Sequence, residues 1–212
     1  MTIPQPALVR LCKLNILLKD LQDRQQTIDS GELAILSGTS ADTVRKDIGY
    51  LKNCRGGKQG YDCRELAECI QKAFSLNKPR KACVVGLGKL GTAILEYPGF
   101  VPAGYELTAG FDADINLIEL KKSSITLFPA YEISEQVKRL GIELAILAVP
   151  PEAAKKSCTR LEEGGIKGIL NFTSVVLDSS SRIPVRNISF LHEFDIVSAL
   201  LSESIGSAEN DL

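Results

Sequence analysis

The chain has 212 residues, of which 44% are apolar and 24% are charged, and its formal net charge is −1. This length suits one small domain and one medium domain, and no stretch of the sequence approaches the roughly 18 apolar residues that a membrane-spanning helix needs. The first residues lack the basic and apolar segments of a secretory signal. We therefore expect a cytoplasmic protein.

Charge and cysteine content narrow the class further. Residues 1–80 carry 13 Lys plus Arg against 9 Asp plus Glu, a balance of +4, whereas the rest of the chain carries −5. A basic N-terminal part favours nucleic-acid contact there. The six cysteines form no Cys-x-x-Cys pair and there is one histidine, so we predict neither a metal site nor a redox dithiol. Cys54, Cys63 and Cys69 are close in sequence, which leaves a local disulfide or thiol sensor open.

The first predicted elements are three helices. Apolar residues at helical spacing predict a helix over 4–23. Ser30 is predicted to cap a short helix that ends at Leu36, a tight turn follows at 37–39, and Ser40 is predicted to cap a third helix that ends near Leu51. Two short helices joined by a glycine-containing turn are typical of a helix-turn-helix, whose second helix enters the DNA major groove.

The third helix and the segment after it carry the chemistry expected of a DNA-binding surface. Val44, Ile48 and Leu51 are predicted to face the core, while Asp47 is expected on the exposed face. The glycine-rich segment 53–61 suits the wing of a winged helix. A charged face that is simply solvated is the alternative. The candidate DNA-binding residues are Ser40, Thr43, Arg45, Lys46, Tyr50, Arg55 and Lys58.

A dinucleotide-binding fingerprint follows a fourth predicted helix over 64–76 and a linker over 77–80. The strand 83–85 leads into Gly86-x-Gly88-x-x-Gly91, and a helix is predicted over 89–97. In this pattern the first glycine permits a tight turn, the second lets a pyrophosphate approach the backbone, and the third allows close packing of helix and strand. A glycine turn with only a structural role is the alternative.

Strands and helices alternate through the rest of the chain. Strands are predicted over 106–111, 125–128, 143–149, 168–170 and 187–190, with helices over 133–140 and 152–163. Such alternation predicts an α/β fold with a doubly wound parallel sheet, whose ligand lies beyond the carboxyl ends of its strands. Asp112 ends the second strand at the spacing of an acid that binds the adenosine ribose; an acidic turn is the alternative. No arginine follows Asp112 closely, which favours NAD over NADP.

Two more features complete this part of the sequence. Val149 and Pro150 stand at the end of a predicted strand, near the expected cofactor. A closing helix over 193–204 is apolar over a broad arc, which favours burial at a subunit interface; docking on its own chain is the alternative. The candidate cofactor-binding residues from these patterns are Gly86, Leu87, Gly88, Lys89, Leu90, Gly91, Asp112, Val149 and Pro150.

Five motifs in register resemble the family of the redox-sensing transcriptional repressor Rex. They are the segments 44–50, 60–61, 85–91, 97–100 and 165–172. The resemblance implies a bacterial homodimer with a winged-helix DNA-binding domain at 1–78, a Rossmann domain for NADH or NAD⁺ at 79–190, and a C-terminal helix and tail at 191–212 that is exchanged between subunits. It also implies a repressor that senses the NADH/NAD⁺ ratio and leaves a palindromic operator when NADH binds.

The resemblance also implies roles for particular residues. Arg45 and Lys46 would contact operator DNA, residues 86–91 would hold the pyrophosphate, Asp112 would hold the adenosine ribose, and Tyr97 would lie near the subunit interface and the cofactor. Two positions depart from the family. Its wing usually has an Arg-Gly pair where this chain has 57–58, and its closing helix often has an aromatic residue near the neighbouring subunit's nicotinamide, where this chain has Ala199.

Two other functions remain open at this point. An NAD-dependent oxidoreductase would use the same cofactor domain, but His192 is the sole histidine, at the start of the tail helix, and no Tyr-x-x-x-Lys pair occurs. We therefore predict no catalytic residue and no enzymatic activity. The second alternative is a nucleotide-responsive regulator that discriminates weakly between redox states.

Overall fold

The computed structural model describes residues 3–177 and 183–209, with side chains up to residue 202, and the chain divides into two compact units, residues 1–78 and 79–212. The division falls inside the segment 77–80 that the sequence predicts as a linker. The first unit contains α1 (Gln5–Leu21), β1 (Thr27–Ile28), α2 (Ser30–Ser37), α3 (Ala41–Gly49), β2 (Tyr61–Asp62) and α4 (Cys63–Phe74).

The core of the first unit forms between α1, α2, α3 and α4. Leu11, Leu14 and Leu18 share one face of α1 and are fully buried, whereas Ile16 is exposed. Val44 and Ile48 of α3, and Leu51 just after it, are buried. This confirms the prediction that these three residues face the core. The strands β1 and β2 pair antiparallel and were not predicted, because two residues are too few to show a period of two.

The prediction that Ser30 caps α2 is wrong. Asp29 is the cap: its Oδ1 accepts hydrogen bonds from the backbone N–H groups of Gly31 (2.7 Å) and Glu32 (2.9 Å), and Glu32 Oε2 accepts one from the Asp29 N–H. This reciprocal pair of bonds needs an acidic residue three positions after the cap, and Glu32 satisfies that spacing only for Asp29. Ser30 is instead the first residue of the helix.

The second unit alternates strands and helices as predicted, with one short helix, α6, that the sequence analysis did not include. Its elements are β3 (Arg80–Val85), α5 (Lys89–Leu95), β4 (Tyr105–Asp112), α6 (Ile115–Leu120), β5 (Thr126–Pro129), α7 (Ile133–Leu140), β6 (Leu144–Leu147), α8 (Pro151–Glu163), β7 (Gly168–Asn171), β8 (Val185–Asn187) and α9 (Phe190–Glu209).

The six strands of the second unit form one parallel sheet in the order β5-β4-β3-β6-β7-β8. The order reverses between β3 and β6, which is the topology of a doubly wound dinucleotide fold, and ligands of such sheets bind where the order reverses. The predicted fold class, α/β with a Rossmann-like parallel sheet, is confirmed. The carboxyl ends of β3 and β6 therefore mark the place to look for a site.

Each face of the sheet has its own apolar core. On one face α7 and α8 pack over Phe111 and Leu147, which are fully buried. On the other face α5 and α6 pack over Val84, and beside them Ile146 and Leu170 lead into a groove of about 420 Å³. The lining of this groove is mostly apolar, and it includes β6 and β7 residues and Pro184.

The last helix differs from its prediction at the N-terminal end. The predicted strand 187–190 is wrong, because β8 ends at Asn187 and α9 starts at Phe190, where Ser189 Oγ accepts the backbone N–H of His192 (3.3 Å). The apolar side chains of α9 are exposed over 42–75% of their surface: Phe190, Leu191, Phe194, Ile196, Val197, Leu200 and Leu201. None of the described helices is long and apolar enough to cross a membrane.

Candidate functional site

The glycine loop after β3 touches the end of β6. Gly86 has φ +92°, a conformation that L side chains rarely adopt, and a Cβ built on it would lie 2.5 Å from the Ala148 carbonyl oxygen and 2.9 Å from Val149 Cγ1. Only a glycine allows this approach of the two strand ends. The loop and Val149 therefore lie side by side at the point where the strand order reverses.

The other two glycines face different surroundings. A Cβ on Gly91 would come 1.8 Å from the Gly86 carbonyl oxygen, so α5 packs directly on the loop. A Cβ on Gly88 would meet nothing within 4 Å, so this side of the loop is open. An open backbone at the start of a helix, beyond the end of a parallel strand, is the arrangement in which a phosphate can approach the N–H groups.

Asp112 joins the end of β4 to the glycine loop. Its Oδ2 accepts the backbone N–H of Leu87 at 2.6 Å, and its Oδ1 accepts the N–H of Asp114 at 2.9 Å. A carboxylate has about four acceptor positions, so these two bonds leave acceptor capacity for a ligand hydroxyl. The sequence placed Asp112 at a strand end but gave no signal that its carboxylate also holds the loop.

The remaining cofactor candidates lie along the same edge of the sheet, with one exception. Lys89 and Leu90 are the first residues of α5, and Pro150 precedes α8 as its N-terminal cap. Tyr97 lies elsewhere, because it follows α5, and a seven-residue helix places it roughly 10 Å from the glycine loop at the helix start. The Tyr97 ring packs edge-to-face on Phe100 (5.7 Å between centroids) and lines a cavity of about 470 Å³ at the far end of α5.

The N-terminal end of α3 presents polar and basic groups. Ser40 caps the helix as predicted, since its Oγ accepts the backbone N–H of Thr43 at 3.2 Å. Arg45 is exposed, but its guanidinium donates to Ser30 Oγ (2.7 Å) and to the Asp42 carboxylate. Lys46 is exposed as well.

Asp47 does not lie on the exposed face, which corrects the sequence analysis. Its carboxylate is 4% exposed and accepts two hydrogen bonds from Arg10 of α1, from Nε at 2.6 Å and from Nη2 at 2.9 Å. Hydrogen bonding to Asp47 raises the pKa of the Arg10 guanidinium, although partial burial acts in the opposite direction. The pair therefore fastens α3 to α1 with a two-point contact.

The other DNA candidates lie at the opposite end of α3 and beyond it. Tyr50 is half-buried after the last helical turn and lines a cavity with Lys52. Arg55 is exposed, and Lys58 is exposed within a tight turn closed by the Gly57 N–H on the Gly60 carbonyl (2.7 Å). The turn leads into β2, so the segment has the form of a short hairpin. Across the described parts of the chain, no cluster of His, Cys, Asp or Glu could hold a metal ion.

The fold and these sites define a helix-turn-helix protein with a dinucleotide-type domain, and comparison with known proteins agrees. A CoA binding domain family model matches residues 77–175. The redox-sensing transcriptional repressor Rex of Clostridioides difficile (strain 630) is 33% identical over 195 residues, which span 92% of this chain and 93% of that protein. Rex of Carboxydothermus hydrogenoformans is 31% identical over 196 residues, which span 92% and 94%. The chain belongs to the Rex family of redox-sensing transcriptional repressors.

Solved structures support the assignment over the whole length. The structure of RSP in complex with β-NADH aligns with a TM-score of 0.86 at 27% identity and covers 99% of both chains. The structure of RSP in complex with β-NAD⁺ and operator DNA aligns with a TM-score of 0.85 at 26% identity and covers 99% of this chain and 97% of that one.

Proposed function

We propose that this protein is a DNA-binding transcriptional repressor that senses the NADH/NAD⁺ ratio and leaves its operator when NADH binds. The observation that carries the proposal is the presence, in one Rex-family chain, of an exposed basic helix-turn-helix and an open glycine loop where the strand order reverses. The solved relative binds β-NADH in one structure and β-NAD⁺ with operator DNA in another. We also propose that the protein acts in the cytoplasm, where a bacterial operator is found.

The glycine-loop region fits a dinucleotide. The backbone N–H groups of residues 86–91 would hold the pyrophosphate, because Gly88 leaves the loop open. The remaining acceptor positions of Asp112 would bind the adenosine ribose. Val149 and Pro150 would line the crevice beside the loop, since Val149 touches Gly86. When bound, the cofactor presents a nicotinamide ring that is either oxidised or reduced. The proposed repressor would respond to this difference.

The DNA surface would use two groups of residues. Ser40, Thr43, Arg45 and Lys46 occupy the first turns of α3, the part of a recognition helix that meets base edges and flanking phosphates. The exposed Arg55 and Lys58 of the hairpin would contact the phosphate backbone or the minor groove. Tyr50 is half-buried at the far end of α3 and would contact DNA only through its edge.

A homodimer accounts for the exposed apolar face of α9. A 20-residue helix with large exposed apolar side chains needs a cover in water, and the mostly apolar groove over β6 and β7 is an apolar surface of matching character. We propose that α9 of one copy fills the groove of a second copy. This exchange is reciprocal, so it closes a twofold dimer, and a twofold dimer matches a palindromic operator.

The dimer is tested by one substitution in α9. We expect Phe194→Asp to shift the mass measured by sedimentation from dimer to monomer at micromolar concentration, because it puts a charge on the exposed apolar face. Asp195→Asn changes the charge of the neighbouring residue without removing apolar surface and should remain dimeric. An unchanged dimer in Phe194→Asp would place the interface elsewhere.

Release of DNA by NADH is a matter of thermodynamic linkage. NADH must bind the DNA-incompetent state of the dimer more tightly than the competent state, and DNA must then weaken NADH binding by the same factor. Two recognition helices must lie about one helical turn of DNA apart to engage both half-sites. A cofactor that favours a dimer with a different distance between the two recognition helices therefore lowers operator affinity, although the cofactor itself does not contact DNA.

The proposal is tested with fluorescence anisotropy. A labelled duplex selected in vitro by the purified protein is titrated at fixed salt with NADH, NAD⁺, ADP and CoA. Release by NADH and not by the other three supports the redox repressor. Equal release by NADH and NAD⁺, or by ADP or CoA, supports the alternative regulator with weak redox discrimination, which Ala199 motivates. Failure to select any duplex contradicts DNA binding.

We propose that the protein has no enzymatic activity. The Rex relatives are named as repressors, and the side chain of His192 is exposed in the first turn of α9. Incubation of NADH with the protein and a panel of aldehydes and ketones should give no oxidation above the rate without protein. Substrate-dependent oxidation would restore the oxidoreductase alternative.

A further inference from the structure

Two thiols meet at the base of the hairpin in the first unit. Cys54 directly precedes Arg55, and Cys69 lies in the middle of α4. The Cys69 thiol is close enough to Cys54 to influence its protonation, and Cys69 Sγ lies 4.0 Å from the carbonyl oxygen of Asn53, the residue before Cys54. Asn53 has φ +64°, a left-handed conformation that turns the chain at the start of the hairpin. Both cysteines pack at the edge of the same apolar core.

The surroundings give the two thiols different chemistry. Burial, and then the neighbouring Cys69 thiol, raise the pKa of Cys54 to about 12, so Cys54 stays protonated at neutral pH. Cys69, by contrast, lines an open cavity of about 700 Å³, whose charged lining residues are Lys52, Lys72, Glu65 and Glu68. A small polar oxidant can therefore reach Cys69 from solvent.

We propose that Cys54 and Cys69 form an intramolecular disulfide in response to hydrogen peroxide, and that this disulfide weakens operator binding. The first part concerns the thiols alone, and the second part rests on the proposed repressor function. The pair would give the protein a second redox input that bypasses the dinucleotide. It lies in the unit that carries the DNA-binding candidates.

The chemistry balances with one peroxide. Cys69 gives its proton to solvent, and its thiolate attacks one oxygen of hydrogen peroxide. The O–O bond breaks, which leaves a sulfenic acid on Cys69 and a hydroxide that takes up the proton to become water. Cys54 then attacks the Cys69 sulfur, the S–S bond forms, and the hydroxyl group leaves with the Cys54 proton as a second water. Two thiols are oxidised and one peroxide is reduced to two waters.

The effect on DNA binding follows from the length of the new bond. A disulfide holds its sulfurs about 2.05 Å apart, which is closer than two thiols in van der Waals contact. Oxidation must therefore draw the start of the hairpin towards α4. Leu51 is anchored in the core three residues earlier, so the displacement falls on Cys54 and the adjacent Arg55. Displacing the hairpin moves Arg55 and Lys58 away from their positions on the DNA surface.

The disulfide is tested on the full-length protein without DNA. Reduced protein is treated with hydrogen peroxide, alkylated and digested with trypsin. We expect a disulfide between the peptides 53–55 and 65–72, each of which contains one cysteine. In Cys54→Ser we expect a sulfenic acid on peptide 65–72 that dimedone traps. In Cys69→Ser we expect no sulfenic acid on peptide 53–55. Cys12→Ser removes a half-buried thiol of the same unit and should behave as the wild type.

The effect on DNA is measured by anisotropy with the selected duplex. We expect peroxide to lower the affinity of the wild type and of Cys12→Ser at least tenfold, with recovery after dithiothreitol, and to leave Cys54→Ser and Cys69→Ser unchanged. The proposal would be overturned if peroxide gave only overoxidised or intermolecularly linked cysteines. It would also be overturned if the Cys54–Cys69 disulfide formed and the DNA affinity did not change. Because the disulfide is scored without DNA, a protein that binds no duplex contradicts the repressor function separately from the thiol chemistry.

Discussion

Removal of Arg10 should loosen α3 by an amount that the geometry sets. In Arg10→Met, the Asp47 carboxylate loses two short charge-assisted hydrogen bonds while it remains 4% exposed. Breaking a fully buried pair from one side costs about 3–5 kcal/mol. The Arg10 side chain is 27% exposed, so water can partly replace it. We therefore expect a loss of about 2–3 kcal/mol of stability, below the full burial value.

The assay is hydrogen exchange of the α3 amides in the full-length protein, followed by mass spectrometry. A loss of about 2–3 kcal/mol corresponds to exchange that is roughly 30- to 150-fold faster. Lys13→Met is the matched control, because Lys13 is an exposed cation on the same helix. NADH affinity should stay unchanged in both variants, since its candidate residues belong to the other unit.

A double-mutant cycle separates the pair from its surroundings. Asp47→Asn removes the buried charge, so Arg10→Met in that background should cost about 1–2 kcal/mol less than it does alone. Exchange of α3 at the wild-type rate in Arg10→Met would refute the view that the ion pair holds this helix. If the effects of Arg10→Met and Asp47→Asn on stability simply add in the double variant, the two side chains are not energetically coupled. Arg10 would then act only through the packing of its aliphatic stem.

Three other predictions concern single positions. Asn15→Leu should raise the melting temperature of the protein, with a gain of roughly 1 kcal/mol, because the buried Asn15 Oδ1 has no hydrogen-bond partner in the described structure; an unchanged or lower melting temperature would show that the amide is satisfied in solution. Gly91→Ala should abolish NADH binding in a fluorescence titration, because the new methyl group would meet the Gly86 carbonyl oxygen; wild-type affinity would exclude this loop as the site. Hydrogen bonding from Lys167 lowers the pKa of Glu143 in the folded protein. The ionised Glu143 carboxylate therefore stabilises the folded state fully above the pKa of an unfolded glutamate, roughly 4.3. This contribution to stability is lost as the pH falls through the lower pKa of the folded state. Glu143→Gln should thus reduce stability at pH 7 by less than about 1 kcal/mol and flatten the acid dependence, and identical urea midpoints of variant and wild type at pH 7 would contradict this.

Local patterns predicted the order of most helices and strands, and the misses have physical causes. Asp47 was expected in solvent because it is charged, yet it stands three residues after Val44, on the side of α3 that the helical period turns towards the core. Its partner Arg10 is 37 residues away, and no pattern within α3 announces it. The true α2 cap did have a signal, the Asp29–Glu32 spacing, which the more common preference for serine obscured.

The candidate cofactor site was partly visible in the sequence. The glycine fingerprint located the loop, and alternation of strands located the sheet edge. That Asp112 holds the Leu87 N–H depends on the end of one strand lying beside the loop of another, which sequence spacing does not encode. Tyr97 was assigned by resemblance alone, and the length of α5 separates it from the loop of its own chain.

The contact between Arg45 and Asp42 has a consequence for the ionic-strength dependence of operator binding. Affinity for DNA falls with salt in proportion to the number of counterions that protein cations displace from phosphates. Arg45 already carries its own counter-charge, the Asp42 carboxylate one helical turn away. If Arg45 contacts a phosphate it leaves Asp42, and the freed carboxylate attracts a cation, so the net release of counterions would be smaller than the basic residues of this surface suggest. In the proposed repressor, Asp42 would thereby keep non-specific attraction low and leave discrimination to the contacts that Arg45 would make after it changes partner.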